Sequence, residues 1–216
     1  MPKRRTLSVA LIGTKFMGRA HANAWRQAPR FFDLAADLRL AAICGRDRGA
    51  TRRAANTLGF ERAETDWRAL IADPLIDIVD ICTPNDSHAE IAIAAARAGK
   101  AVLCEKPLAL TASEARRMTD VVKHARVTNM VCHNYRRAPA IALAREMIER
   151  GEIGHRIYHF RARYAQDWIA DENFPLVWRL QSKAAGSGAL GDLGAHLVDL
   201  ARFLVGEIES VSAEVE

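Results

Sequence analysis

No stretch of about 18 uninterrupted apolar residues runs through this 216-residue sequence, which argues against a membrane-spanning helix and a membrane partner. There is no C-x-x-C pair. Cys44, Cys82, Cys104 and Cys132 each sit in or at the end of a short apolar run. That is the pattern of reduced, buried thiols on neighbouring strands, so no metal is expected. No basic helix face stands out. Lys and Arg outnumber Asp and Glu by 31 to 26, but they are scattered. The net charge of +5 therefore suits a small anionic ligand, and no nucleic-acid partner is expected. The basic start, Met1-Pro2-Lys3-Arg4-Arg5, leads directly into a strand-like run with no small-residue cleavage site, which points to a cytoplasmic protein. Internal repeats and low-complexity segments are absent. With 50% hydrophobic and 26% charged residues, the chain is too apolar for disorder and has the balance of a soluble globular protein.

What is present is alternation. Strands are expected at Thr6–Gly13, Leu38–Cys44, Ile76–Cys82, Ala101–Cys104 and Asn129–His133. Helices are expected at Phe16–Gln27, Arg46–Leu58, Asp66–Ala72 and Ser87–Ala98, with another from Thr111, whose Thr111-x-x-Glu114 spacing is a capping box. Such alternation implies an α/β fold with a doubly wound parallel sheet. Ligands of such sheets bind beyond the carboxyl ends of the strands. The pattern changes after Tyr135. A helix is expected at Ala138–Arg150, an alternating strand at His155–Tyr164, an irregular stretch over 166–188, a helix at Asp192–Leu204 and a second alternating strand at Ile208–Val215. The domains are read as 1–134 and 135–216. Two strands make a marginal ribbon with edges that invite pairing, so the second region reads as incomplete or as finished by another chain.

Three segments carry chemistry. Gly13-Thr14-Lys15-Phe16-Met17-Gly18 follows the first strand and opens the first helix. It approximates G-x-G-x-x-G, with Lys15 at the middle glycine, and would aim helix-terminal amides at a pyrophosphate. Cys44-Gly45-Arg46-Asp47 follows the second strand. Arg46 there suits a 2′-phosphate and inclines the reading to NADP, whereas Asp47 reaching a ribose diol would mean NAD, so both cofactors stay open. Glu105-Lys106-Pro107 follows the fifth strand, and Asp192 and His196 lie four residues apart, on one face of the expected helix. His196 can serve as a base at neutral pH, and Lys106 can stabilise a developing alkoxide. Several residues have plainer readings: His21 as a helix-surface residue and Arg136-Arg137 as a solvated turn.

Together with Thr83-Pro84-Asn85-x-x-His88 and Gly186-Ser187-Gly188-Ala189-Leu190-Gly191-Asp192-Leu193-Gly194-Ala195-His196, these segments resemble the glucose–fructose oxidoreductase / inositol dehydrogenase / rhizopine-catabolism (Gfo/Idh/MocA) family. The stretches Asn134–Arg137, Gln166-Asp167-Trp168 and Trp178-Arg179 look most like its inositol- and levoglucosan-dehydrogenase-like members. The resemblance implies an N-terminal Rossmann domain followed by the beginning of an α+β domain with a mostly antiparallel sheet. It implies a catalytic set of Lys106, Asp192 and His196. It places the dinucleotide at Gly13, Phe16, Met17, Gly18, Thr83, Asn85, His88 and Glu105, and Lys15, Arg46 and Lys106 are read with them as cofactor-binding residues. It places a sugar or polyol at Tyr135, Gln166, Trp168, Asp192 and His196, makes the Lys106–Pro107 peptide cis, and suggests a homo-oligomer formed through the C-terminal sheet. Family members are much longer, so the chain reads as truncated. A non-catalytic dinucleotide sensor or an inactive fragment is the alternative to a dehydrogenase.

Overall fold

The computed structural model describes residues 4–214. The expected features of Met1–Lys3, Val215 and Glu216 lie outside that range. The chain divides into two compact units, Met1–Cys132 and His133–Glu216.

The first unit is a six-stranded, wholly parallel sheet of order β3-β2-β1-β4-β5-β6. Its strands are β1 (Thr6–Ile12), β2 (Asp37–Cys44), β3 (Arg62–Glu64), β4 (Ile78–Ile81), β5 (Ala101–Glu105) and β6 (Asn129–Cys132). Between them run α1 (Phe16–Phe31), α2 (Arg48–Leu58), α3 (Trp67–Ala72), α4 (His88–Arg97) and α5 (Ala112–Ala125). The order reverses between β1 and β4, which opens a crevice at the carboxyl edge. Strand periodicity splits the core: Ala10 and Ile12 face one apolar cluster with Val79, Ile81 and the alanine-rich α4, while Leu11 faces the other with Ala22, Ile43 and Phe60.

Local chemistry sets the boundaries. Asp47 caps α2 by accepting the Ala50 amide, and Gly59 closes it at φ +81. Asp66 caps α3, and the Thr111–Glu114 box forms at the start of α5. Two elements depart from the expectation. The helix α1 continues past Gln27, through an exposed Pro29, to Phe31. β3 was not expected, because Arg-Ala-Glu has no apolar run; it exists by pairing with the end of β2 at the sheet edge.

The second unit contains α6 (Pro139–Glu149), the single turn α7 (Ser182–Ala185) and α8 (Ala195–Leu204), with a π-helical turn over Leu190–Gly194 leading into α8. The expected α-helix at Asp192–Leu204 is therefore π-helical at its start. Wider turns of this kind recur at functional sites. Neither His155–Tyr164 nor the described part of Ile208–Val215 forms a strand: among the described residues no ladder pairs them. Alternation marks a segment that can be half-buried in a sheet, but a strand exists only where a neighbour takes its backbone groups.

Candidate active site

The β1–α1 turn is shaped by contacts that only glycine permits. Gly13 has φ +118, and a Cβ there would lie 2.4 Å from the Cys82 carbonyl oxygen; one on Gly18 would lie 2.0 Å from the Gly13 oxygen. The Gly13 amide donates to the Cys44 carbonyl at 2.9 Å, tying the turn to the end of β2. Lys15 stands at the N-cap of α1, exposed, with no side-chain cap, and the first turn carries no acidic residue. The leading amides, at Phe16, Met17 and Gly18, thus have no carboxylate competitor, which suits an anionic ligand. Phe16 is exposed and Met17 packs on the core beneath. The residues present therefore fit a dinucleotide pyrophosphate.

At the end of β2, a Cβ on Gly45 would meet Thr51 Oγ1 at 2.7 Å and Thr14 Cγ2 at 2.9 Å, so this position holds no acidic side chain. Arg46 is exposed. The Asp47 carboxylate is engaged 2.6 Å from the Ala50 amide as a helix cap.

After β4, Ser87 Oγ lies 2.7 Å from Thr83 Oγ1, and Asn85 is buried in the 3-10 turn Asn85–Ser87. His88 is wholly buried; Nδ1 lies 2.9 Å from the Pro107 carbonyl and Nε2 2.9 Å from the Thr83 carbonyl. Both ring nitrogens thus face carbonyl oxygens, and the imidazole joins the Thr83 and Pro107 turns. Lys106 is half-buried and the Lys106–Pro107 peptide is cis. Glu105 is buried and its carboxylate accepts the Lys106 amide at 3.1 Å. Its partner is His21, which is buried at 7% exposure and not on the helix surface. The His21 reading is thereby corrected: α1 turns that face onto the sheet, where carboxylates await it.

In the second unit, Asp192, Gln166 and Trp168 line one cavity of about 260 Å³, together with Arg179. A hydrogen-bonded chain leads from it: Trp168 Nε1 donates to Gln166 (3.0 Å), Gln166 Nε2 donates to Tyr164 (2.9 Å), and the Tyr164 and Tyr135 hydroxyls lie 2.5 Å apart. Tyr135 stacks on buried His196 at 4.0 Å between ring centroids. The hydrogen bond to Tyr164, with some burial, pushes the Tyr135 phenol up to about 12, so it stays a proton donor at neutral pH. Tyr164 escaped the sequence reading, although Tyr164, Gln166 and Trp168 follow one another at two-residue spacing, a usable signal. Arg136 is not a solvated turn residue. It forms a bidentate pair, at 2.8 and 2.5 Å, with the buried Asp199 of α8. No group of acidic, His or Cys side chains able to hold a metal occurs among the expected site residues, except that Glu105 belongs to one such group with His21 and Cys132.

Residues 7–133 match a family model described as an oxidoreductase family with an NAD-binding Rossmann fold, and residues 141–216 match the corresponding GFO/IDH/MocA C-terminal domain. The chain belongs to the Gfo/Idh/MocA family. Among members of that family, levoglucosan dehydrogenase of Pseudarthrobacter phenanthrenivorans is 51% identical over 210 residues, 97% of this chain and 54% of its own. Inositol 2-dehydrogenase of Rhizobium meliloti is 34% identical over 202 residues, covering 94% of this chain and 56% of that one. A solved levoglucosan dehydrogenase in complex with NADH and levoglucosan superposes with a TM-score of 0.92 at 52% identity, covering 94% of this chain and 55% of that chain. The chain thus spans about half the length of the curated Gfo/Idh/MocA relatives it matches. No helix of the described structure is long and apolar enough to cross a membrane.

Proposed function

We propose that this chain carries the dinucleotide site and the catalytic groups of an NAD-dependent dehydrogenase acting on a ring hydroxyl of a sugar or polyol. The observation that carries the reading is the second unit's side-chain arrangement. Asp192, Gln166 and Trp168 line a cavity of sugar size, and the chain from Gln166 leads to Tyr135 stacked on His196. A stacked, buried imidazole beside a wall of hydroxyl and amide donors suits a polyhydroxylated ring. The complex of a 52% identical levoglucosan dehydrogenase with NADH and levoglucosan supports both cofactor and substrate class.

Bound at the β1–α1 turn, the cofactor would supply the nicotinamide that exchanges hydride with the substrate carbon. The chain's own residues do the rest. Gly13 and Gly18 admit the pyrophosphate to the amides of α1. Thr83, Asn85 and the exposed Arg46 flank the same sheet edge. His196 takes the hydroxyl proton, and the Lys106 ammonium stabilises the alkoxide as it forms. Asp192 accepts from a second hydroxyl and fixes the ring, while Trp168 and Tyr135 exclude water. NAD is favoured over NADP because the relatives' complexes contain NADH. A cytoplasmic setting and self-association through the second unit, whose Tyr158 and Val211 are more than four-fifths exposed, belong to the same proposal.

The test is a screen of anhydrosugars and inositols with each cofactor, following absorbance of the reduced nicotinamide. Turnover is expected to fall by about a thousandfold in Lys106→Ala and in His196→Ala. Dinucleotide binding without turnover on any substrate would overturn the catalytic reading and leave a sensor or an inactive fragment.

A further inference from the structure

His21 lies on α1, three residues after Gly18, and sits between two acidic groups of the sheet. Its Nδ1 is 2.9 and 3.0 Å from the two oxygens of Asp80, and its Nε2 is 3.0 Å from Glu105 Oε1. Asp80 is fully buried and also accepts Trp25 Nε1 at 2.7 Å and the Cys82 thiol at 3.6 Å. Cys132 Sγ lies 3.6 Å from His21 Nε2. An ionised carboxylate only accepts, and a neutral imidazole has one N–H. Two carboxylates facing two ring nitrogens are therefore satisfied together when both nitrogens carry protons.

We propose that His21 is a positioning residue, a doubly protonated imidazole clamped between Asp80 and Glu105 that holds the Glu105 carboxylate against the Lys106 amide and so aims the turn bearing Lys106. The groups facing it are Trp25 from its own helix, Asp80 and Cys82 from β4 and its end, Glu105 from β5 and Cys132 from β6. Burial opposes a charged ring, but the hydrogen bonds to Asp80, Cys132, Cys82 and Glu105 outweigh it and lift His21 far above the ordinary imidazole range. Burial likewise opposes the Glu105 carboxylate, and the His21 hydrogen bond and charge outweigh that too, holding Glu105 below the ordinary range. Thermodynamically the clamp links α1, β4 and β5 at the point where the Lys106 turn begins.

The clamp itself is independent of activity; its role in aiming Lys106 rests on the proposed dehydrogenase reading. Two measurements keep these apart. Long-range proton–nitrogen NMR of the histidine-labelled full chain is expected to show one imidazole doubly protonated at about pH 9. Its signal is absent in His21→Gln, and its pKa falls in Glu105→Gln, which serves if His21→Gln does not fold. A neutral His21 ring at about pH 7.5 would overturn the clamp. In the turnover assay, His21→Gln is expected to lower kcat about tenfold with KM and NADH affinity within about twofold. An acid limb should also enter its pH profile as Glu105 loses its partner. Unchanged kcat at every pH, with an active parent, would overturn the positioning role. A protonated His21 in a parent that turns over no substrate would sink the dehydrogenase reading and leave the clamp standing.

Discussion

The two units solve the problem of holding reactive groups in different ways. In the first, positions are set by backbone. The Gly13 and Gly18 approaches, the Asp47 and Thr111 caps and the register of parallel strands place every candidate residue at one sheet edge, over a core whose Leu11, Ile43, Val79 and Ile81 are wholly buried. In the second, positions are set by side chains. Tyr135, Tyr164, Gln166 and Trp168 hold one another through hydrogen bonds, and among the described residues no helix of that unit contributes a fully buried large apolar residue. A backbone cradle tolerates almost no substitution but makes few demands on its surroundings. A side-chain network tolerates conservative change but depends on each member's partner.

Substitutions can break that contrast. Gly18→Val places a branched side chain onto the Gly13 carbonyl. It is expected to destabilise the first unit by more than about 4 kcal/mol and to abolish dinucleotide binding. Calorimetric titration with NADH checks this, and unchanged affinity would remove the phosphate-site assignment. Next, Leu11→Ala should cost about 3 kcal/mol by leaving a cavity in the sheet core. Val198→Ala, on half-exposed α8 surface, should stay within about 0.5 kcal/mol when both variants are compared by urea unfolding. Equal losses would show that the second unit is packed as tightly as the first.

A smaller effect sharpens the side-chain half of the comparison. Tyr164→Phe removes the link between Gln166 and Tyr135 while keeping the ring. We expect about 1 kcal/mol of lost interaction, read as a severalfold rise in sugar KM with an unchanged melting temperature. No change in KM would mean the chain of hydroxyls does not order the pocket. The pH response of the buried clamp is the most gradual effect. Glu105 is held below its ordinary value of 4.5, so its contribution to stability is present above that value and is lost as pH falls through the lower folded one. His21 is raised, so its contribution is complete below its ordinary value of 6.5 and is lost progressively as pH climbs from there toward the higher folded value. Unfolding free energy should therefore decline by about 1.4 kcal/mol per pH unit from about pH 7 to 9, a slope lost in His21→Gln, and fall again below about pH 4, less steeply in Glu105→Gln.

Much of the first unit was legible because its signals are local. Short apolar runs ending at Gly13, Cys44, Cys82 and Cys104 mark strand ends, and a parallel sheet gathers strand ends on one edge. What escaped was non-local. His21 reads as a surface helix residue because nothing within a turn of it announces Asp80 or Glu105, which lie 59 and 84 residues away. His88 shows no sequence sign that both its nitrogens are taken by carbonyls. In the second unit, alternation at His155–Tyr164 was read as a strand although no neighbouring ladder exists among the described residues. Likewise, the four-residue spacing of Asp192 and His196 gave no hint of a π-helical turn.

By itself, then, the order of amino acids determined the alternation of strands and helices, the glycines that let a chain fold back on its own carbonyls, and the short-range caps, because each depends on steric and hydrogen-bonding rules within a few residues. Only the tertiary structure decided which imidazole meets which carboxylate and which alternating segment gains a partner. Those outcomes depend on groups distant in sequence being brought out of water together, where an unpaired charge or amide is costly and a matched one is held fast.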